Sequence, residues 1–167
     1  MPEESEKQVV ERAQEDEREG KSPSTQAGEF VREEMHHVRE GKHGARSPQQ
    51  AIAIGLSKAR RAGVKLEPPK EGKASPKVRK QAERDLSSAK NPHKPSKTRS
   101  RATLDALKLE GHSAASHAAL SRQAESASRR RSPDSRRRAA AAAVRTKGPA
   151  GLQKAGRKAA RTRAKHR

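Results

Sequence analysis

A short helical hairpin set in an otherwise mostly disordered or conditionally helical chain is the architecture this sequence predicts. Three observations point there. Leu, Ile, Val and Phe number eighteen in 167 residues, about 11 %, where a highly charged chain below roughly 20 % tends to stay unfolded. Trp and Tyr are absent and Phe occurs once, so the large burial that aromatics supply is missing. Much of the nominal apolar content is alanine, which favours helix but buries little. Any regular structure is therefore expected to be all-α. The third observation is a single stretch, Ser47 to Gly63, in which start signal, apolar face and stop signal agree.

In chain order, residues 3–19 form a charged helix with a thin apolar strip of Val9, Val10 and Ala13. Pairs at helical spacing support it: Glu3–Lys7, Lys7–Glu11 and Arg12–Asp16, each worth a few tenths of a kcal/mol. Gly20-Lys21-Ser22-Pro23-Ser24 breaks it. Thr25 is placed as the cap of a second helix, 26–40, carrying Phe30, Val31, Met35 and Val38, with Gly41 and Gly44 at its end. Ser47 then caps the best-marked helix, with Pro48 at its first position and Gln50 where a capping box places Glu or Gln. Ala51, Ile52, Gly55, Leu56, Ala59 and Ala62 share one face, and Gly63 ends the helix after the cations Lys58, Arg60 and Arg61. The two helices are expected to pair antiparallel, with a core of Phe30, Val31, Met35, Val38, Ile52, Leu56 and Ala59. Val64 and Leu66 fold back over it before Pro68-Pro69.

Past residue 70 the signals weaken. Ser75-Pro76 starts a weak helix to Leu86, Asn91-Pro92-His93-Lys94-Pro95 breaks the chain, and Ser100–Glu110 carries Leu104, Leu107 and Leu109. Ser113 opens an Ala/Ser-rich helix to about Ser128. Ser132-Pro133 precedes an alanine run to Val144, and Gly148-Pro149 separates a last segment, 150–165. The organisation expected is an acidic arm (1–23), a helical hairpin module (24–70), a basic linker with weak helix (71–99), Ala/Ser-rich helices (100–131) and a strongly basic tail (132–167).

The string Gln50-Ala51-Ile52-Ala53-Ile54-Gly55-Leu56-Ser57-Lys58-Ala59-Arg60-Arg61-Ala62-Gly63 resembles the motif of small, very basic bacterial proteins classed as a domain of unknown function. The resemblance covers about residues 28–70 and implies a bacterial source, without an activity or site residues. The Ala/Lys/Arg texture of the tail resembles that of linker-histone-like bacterial tails.

Charge carries the functional reading. Residues 1–40 hold twelve acids and six bases, whereas 129–167 hold fifteen Arg or Lys against Asp134 alone. Such a segment is the footprint of polyanion binding. The residues expected to contact nucleic acid are Arg129, Arg130, Arg131, Arg136, Arg137, Arg138, Arg145, Lys147, Lys154, Arg157, Lys158, Arg161, Arg163, Lys165 and Arg167. Without aromatics for base stacking or zinc-finger spacing, these contacts fall on the backbone. Duplex DNA in a bacterial nucleoid is the favoured partner and site, with RNA or ribosome association as an alternative. A second alternative is a protein–protein adaptor, or self-association, through the Ile52/Leu56 face.

Other classes find no support. There is no Cys, which excludes disulfides and thiolate metal sites. The acidic N-terminus lacks an apolar run of signal-peptide type, and no window reaches membrane-spanning length. Nucleophile elbow, phosphate-binding glycine loop and constrained carboxylate pair are all missing, so no catalytic residue, enzyme activity or cofactor is assigned. Glu33, His36, His37 and His43 lie near a helix end as conceivable ligands. They read as solvent-facing polar residues, and no metal is assigned.

Overall fold

A computed structural model of the chain describes residues 2–90 and 96–165. Its regular structure is all helical: α1 (Pro2–Arg18), α2 (Pro23–Arg39), α3 (Pro48–Arg61), α4 (Pro76–Lys90), α5 (Lys97–Lys108), a 3-10 turn at Ser113–Ala115, α6 (His117–Arg129) and α7 (Pro133–Lys165). The all-α expectation holds, but the expectation of a mostly disordered chain does not. Helix runs through most of the sequence read as linker or conditional structure. The break expected at Asn91–Pro95 lies outside the described residues. Two units divide the chain, Met1–Gln123 and Ala124–Arg167.

Serine sets the helix starts. Ser22, Ser47, Ser75, Ser96, Ser116 and Ser132 each place a side-chain oxygen to accept the backbone N–H three residues on, at 3.2–3.5 Å. These bonds satisfy donors that the first turn leaves without intrahelical partners. Four of the six serines precede Pro, which fits the first helical position because its missing N–H costs nothing there. Ser22-Pro23 therefore opens α2 where the sequence reading placed a breaker and a Thr25 cap. Gln50 reaches back to donors before α3, accepting from the N–H of Arg46 at 2.8 Å.

In the first unit, α2 packs between α1 and α3, and α4 packs on α3. Two groups of side chains fill the interior. One combines Val9 and Ala13 of α1, Ala27 and Phe30 of α2, Ala59 of α3 and Val64, flanked by Val10, Leu56 and Leu66. The other combines Met35, Val38, Ala45, Ala51, Ala114 and Ala115, flanked by Val31, Ile52 and Leu120. Ala27, Ala51, Ala59 and Ala115 are fully buried. Small residues at these positions let backbones approach, which replaces bulky filling by contact between the helices themselves. Gly55 shows the limit of this: a Cβ there would lie 2.7 Å from Val31 Cα.

The acidic N-terminal helix is part of this packing. Arg12 does not pair with Asp16 within α1; its Nε donates to Glu29 Oε2 on α2 at 2.8 Å, while Asp16 binds Lys21 Nζ at 2.6 Å. On the other side, Asp85 of α4 is buried and accepts from Ser57 Oγ at 2.5 Å and Gln81 Nε2 at 3.2 Å. Arg60, also buried, holds the returning chain by donating Nε to the Leu66 carbonyl at 3.1 Å; burial pulls its pKa down.

The loop after α2 turns at Gly41, φ +74°. Gly44 has a different role, since a Cβ there would sit 1.8 Å from the Glu110 carbonyl oxygen. Gly44 N–H donates to Leu107 O at 2.9 Å and Ala45 N–H to Gly111 O at 3.0 Å. This pairing fixes the carbonyls of the loop, and with them the residues at the end of α2.

Candidate functional site

The basic segment falls almost wholly in the second unit. Arg129 ends α6, Arg130 and Arg131 lie in the turn, and Arg136, Arg137, Arg138, Arg145, Lys147, Lys154, Arg157, Lys158, Arg161, Arg163 and Lys165 project from α7. All fourteen are exposed; Arg167 lies outside the described residues. Within this unit Glu125 and Asp134 stand against fifteen Lys or Arg, a net charge of +13. Arg129 comes within 3.9 Å of Glu125 and Arg137 within 3.6 Å of Asp134. The other twelve have no acidic partner among the described residues.

α7 buries none of its residues and bends at Gly148, whose φ of 62° and ψ of 174° leave the helical region just before Pro149. Beyond the bend, helical geometry places Lys154, Arg157, Lys158, Arg161 and Lys165 within an arc of about 100°, along about 16 Å of axis. Leu152, Ala155 and Ala159 turn roughly opposite. Arg163 points away from the arc.

The expected hairpin core is placed as follows. Phe30, Met35, Val38 and Ala59 are buried, and Val31, Ile52 and Leu56 are half-buried. Phe30, Ala59 and Leu56 meet in the group that includes α1, whereas Met35, Val38, Val31 and Ile52 meet in the group beside the 3-10 turn. The sequence reading missed the share of Val9 and Ala13, because three small residues on a charged helix do not announce a buried face.

The histidines depart further from expectation. His36 is exposed, with Nδ1 3.2 Å from Glu40 Oε1, but His37 and His43 are 6 % and 7 % exposed, so neither faces solvent. Between them lies Glu34, a residue the sequence reading did not single out, at 1 % exposure. His43 Nε2 is 3.1 Å from Glu34 Oε1, and Lys58 Nζ is 2.9 Å from Oε2. Neither contact has hydrogen-bond alignment, so both oxygens are buried without accepting a hydrogen bond from a described residue. His37 Nε2 is 3.1 Å from Glu33 Oε1, and His43 Nδ1 is 3.0 Å from the Gly44 carbonyl. The two rings meet edge to face, 6.2 Å apart at 81°. Burial, then the charges of Lys42 and Lys58, lower the His37 pKa. A cavity of about 370 Å³ adjoins, lined by Glu33, Glu34, His37 and Lys58 together with Val9 and Phe30. The signal in the sequence was Glu34-x-x-His37, two residues one helical turn apart, with His43 six residues on.

Residues 22–71, a segment that contains α2, α3 and this cluster, match a family of unknown function (DUF6496). Neither a curated protein nor a solved structure matches the chain. Among the described residues, no helix is long and apolar enough to cross a membrane.

Proposed function

We propose that the protein binds nucleic acid without sequence preference, through phosphate contacts made by residues 129–165 and Arg167. The observation that carries this reading is the run of exposed Lys and Arg along α7, nearly free of acidic partners and with five of them on one arc. Like charges at such spacing repel in the free chain, and a row of phosphates reverses the sign of that interaction. Nothing aromatic accompanies them for base stacking, and cations alone position a protein on the backbone rather than read bases. Duplex DNA is the favoured ligand, RNA the alternative, and a bacterial nucleoid the corresponding location. The adaptor reading is less well supported, since Ile52 and Leu56 pack inside the first unit.

Titration against duplexes at several salt concentrations tests the proposal. If roughly six to ten phosphates are neutralised, log K falls against log salt with a slope of about −5 to −9. Replacing Lys154, Arg157, Lys158 and Arg161 by Gln should flatten that slope by about one unit per lost contact. A wild-type slope near −1, or a strong preference for one duplex sequence over a scrambled one, would overturn it.

A further inference from the structure

The Glu34 cluster poses an electrostatic problem that a metal ion resolves. His43 places Nδ1 3.0 Å from the Gly44 carbonyl and Nε2 3.1 Å from Glu34 Oε1, so the ring is held against the carboxylate in a buried site. The carboxylate itself is almost fully buried and accepts no hydrogen bond from a described residue, and a charge in that condition is costly unless a strong partner compensates it. Lys58 contributes from one side, but its side chain is 31 % exposed and has solvent to move into.

We propose that Glu34, His37 and His43 bind a divalent transition-metal ion, with Zn²⁺ as the best-matched ion. One ligand atom from each of the three lies within 4.8 Å of the others. Tetrahedral zinc, with bonds near 2.1 Å, sets its ligands about 3.4 Å apart. Closure of up to about 1.4 Å between ligand atoms therefore completes the site. Two imidazoles and one carboxylate suit zinc and its neighbours rather than Ca²⁺ or Mg²⁺, which prefer oxygen. Both rings carry the supporting contacts that orient ligating histidines: His43 on a backbone carbonyl, His37 beside the Glu33 carboxylate. The Gly44 carbonyl is in turn held by the pairing of its loop with residues 107–111. The adjoining cavity offers a route of entry and room for a water in the fourth position. In the absence of metal, Lys58 is the counter-charge of Glu34, and it leaves when the metal arrives.

The test uses the full chain, freed of metal by a chelator and titrated with Co²⁺ as a spectroscopic stand-in and then with Zn²⁺. One equivalent of Co²⁺ should give the intense visible bands of a tetrahedral site, and one equivalent of Zn²⁺ should abolish them. Glu34→Gln and His43→Ala should each lose the bands, Glu33→Gln should weaken binding by about 10-fold to 100-fold, and Lys58→Ala should tighten it by removing the competing ammonium. Should His43→Ala fail to fold, Glu34→Gln, which keeps the residue's size, still decides. No tetrahedral signal from the wild type, a signal that survives Glu34→Gln, or weaker binding in Lys58→Ala would overturn the proposal.

Discussion

Replacing Gly55 by Ala isolates the close contact between α2 and α3. In an ordinary helix interior this change stabilises by about 1 kcal/mol, because Ala loses less backbone freedom on folding and exposes less backbone. At Gly55 the new methyl would meet Val31 Cα at 2.7 Å, with Val31 N and Cγ2 both at 3.0 Å. Two of those three atoms are backbone, so no rotamer change makes room, and the helices must separate along a seam that also holds Ala51 and Ala59. Overpacking of this kind costs about 1–3 kcal/mol, and a clash with backbone belongs at the upper end. The net expectation is a loss of about 2 kcal/mol after subtracting the helical gain. Gly28 of α2 supplies the control, since it is exposed and a Cβ there meets nothing within 4 Å. Gly28→Ala should gain about 1 kcal/mol. Thermal unfolding followed by far-ultraviolet circular dichroism makes the comparison. At about 4 °C per kcal/mol, Gly55→Ala should lower the midpoint by about 8 °C and Gly28→Ala raise it by about 4 °C. If Gly55→Ala melts at or above the wild type, the seam is not as tight as described and the reasoning fails.

Val9→Ala should cost about 2 kcal/mol, measured by urea unfolding, because Val9 is 2 % exposed in the core; an effect below a few tenths would place α1 outside the folded unit. Stability should also fall on acidification. His37 has its pKa lowered by burial, so as pH drops below about 6.5 the unfolded chain takes up a proton that folded His37 resists. The loss continues down to the folded-state pKa and is absent above the unfolded one. In the presence of a chelator, His37→Gln should flatten this dependence, and an unchanged slope would refute its source. Deleting residues 1–20 should lower stability before it alters any nucleic-acid affinity, because Val9 and Ala13 leave the core with it. Midpoint and binding isotherm measured on the same preparation separate the two effects.

Local signals were legible in the sequence. Ser47, Pro48 and Gly63 mark α3 where the structure has it, because caps and stops act within a few residues. The global inference from sparse large apolar residues failed for a specific reason. It counts side-chain bulk, whereas this core is made from Ala27, Ala51, Ala59 and Ala115 at zero exposure and from Gly55 against a backbone. Alanine on a helix face is ambiguous until the neighbouring helix is known. The same holds for His37 and His43: His37 shares a cavity lining with Val9 of α1, and the loop that carries His43 pairs residues 44–45 with 107–111. Neither neighbour lies within helical reach of the histidines. The basic arc of α7, by contrast, needs only helical periodicity, and so could be drawn from the sequence alone.

The bend at Gly148 and the absence of any buried residue in α7 also determine how that helix comes apart. It consists of two stretches of about 15 and 17 residues, near the length at which an isolated helix is marginal in water. With no buried residue among those described to couple them, each stretch frays from its ends in a helix–coil equilibrium set by its own alanines, and Ser132 caps the first alone. Heating therefore erodes α7 over a broad range of temperature, while the packed helices of the first unit let go together. A polyanion that holds both stretches of α7 helical must offset the entropy of that ordering, and its apparent affinity carries a temperature dependence which belongs to the helix rather than to the phosphates.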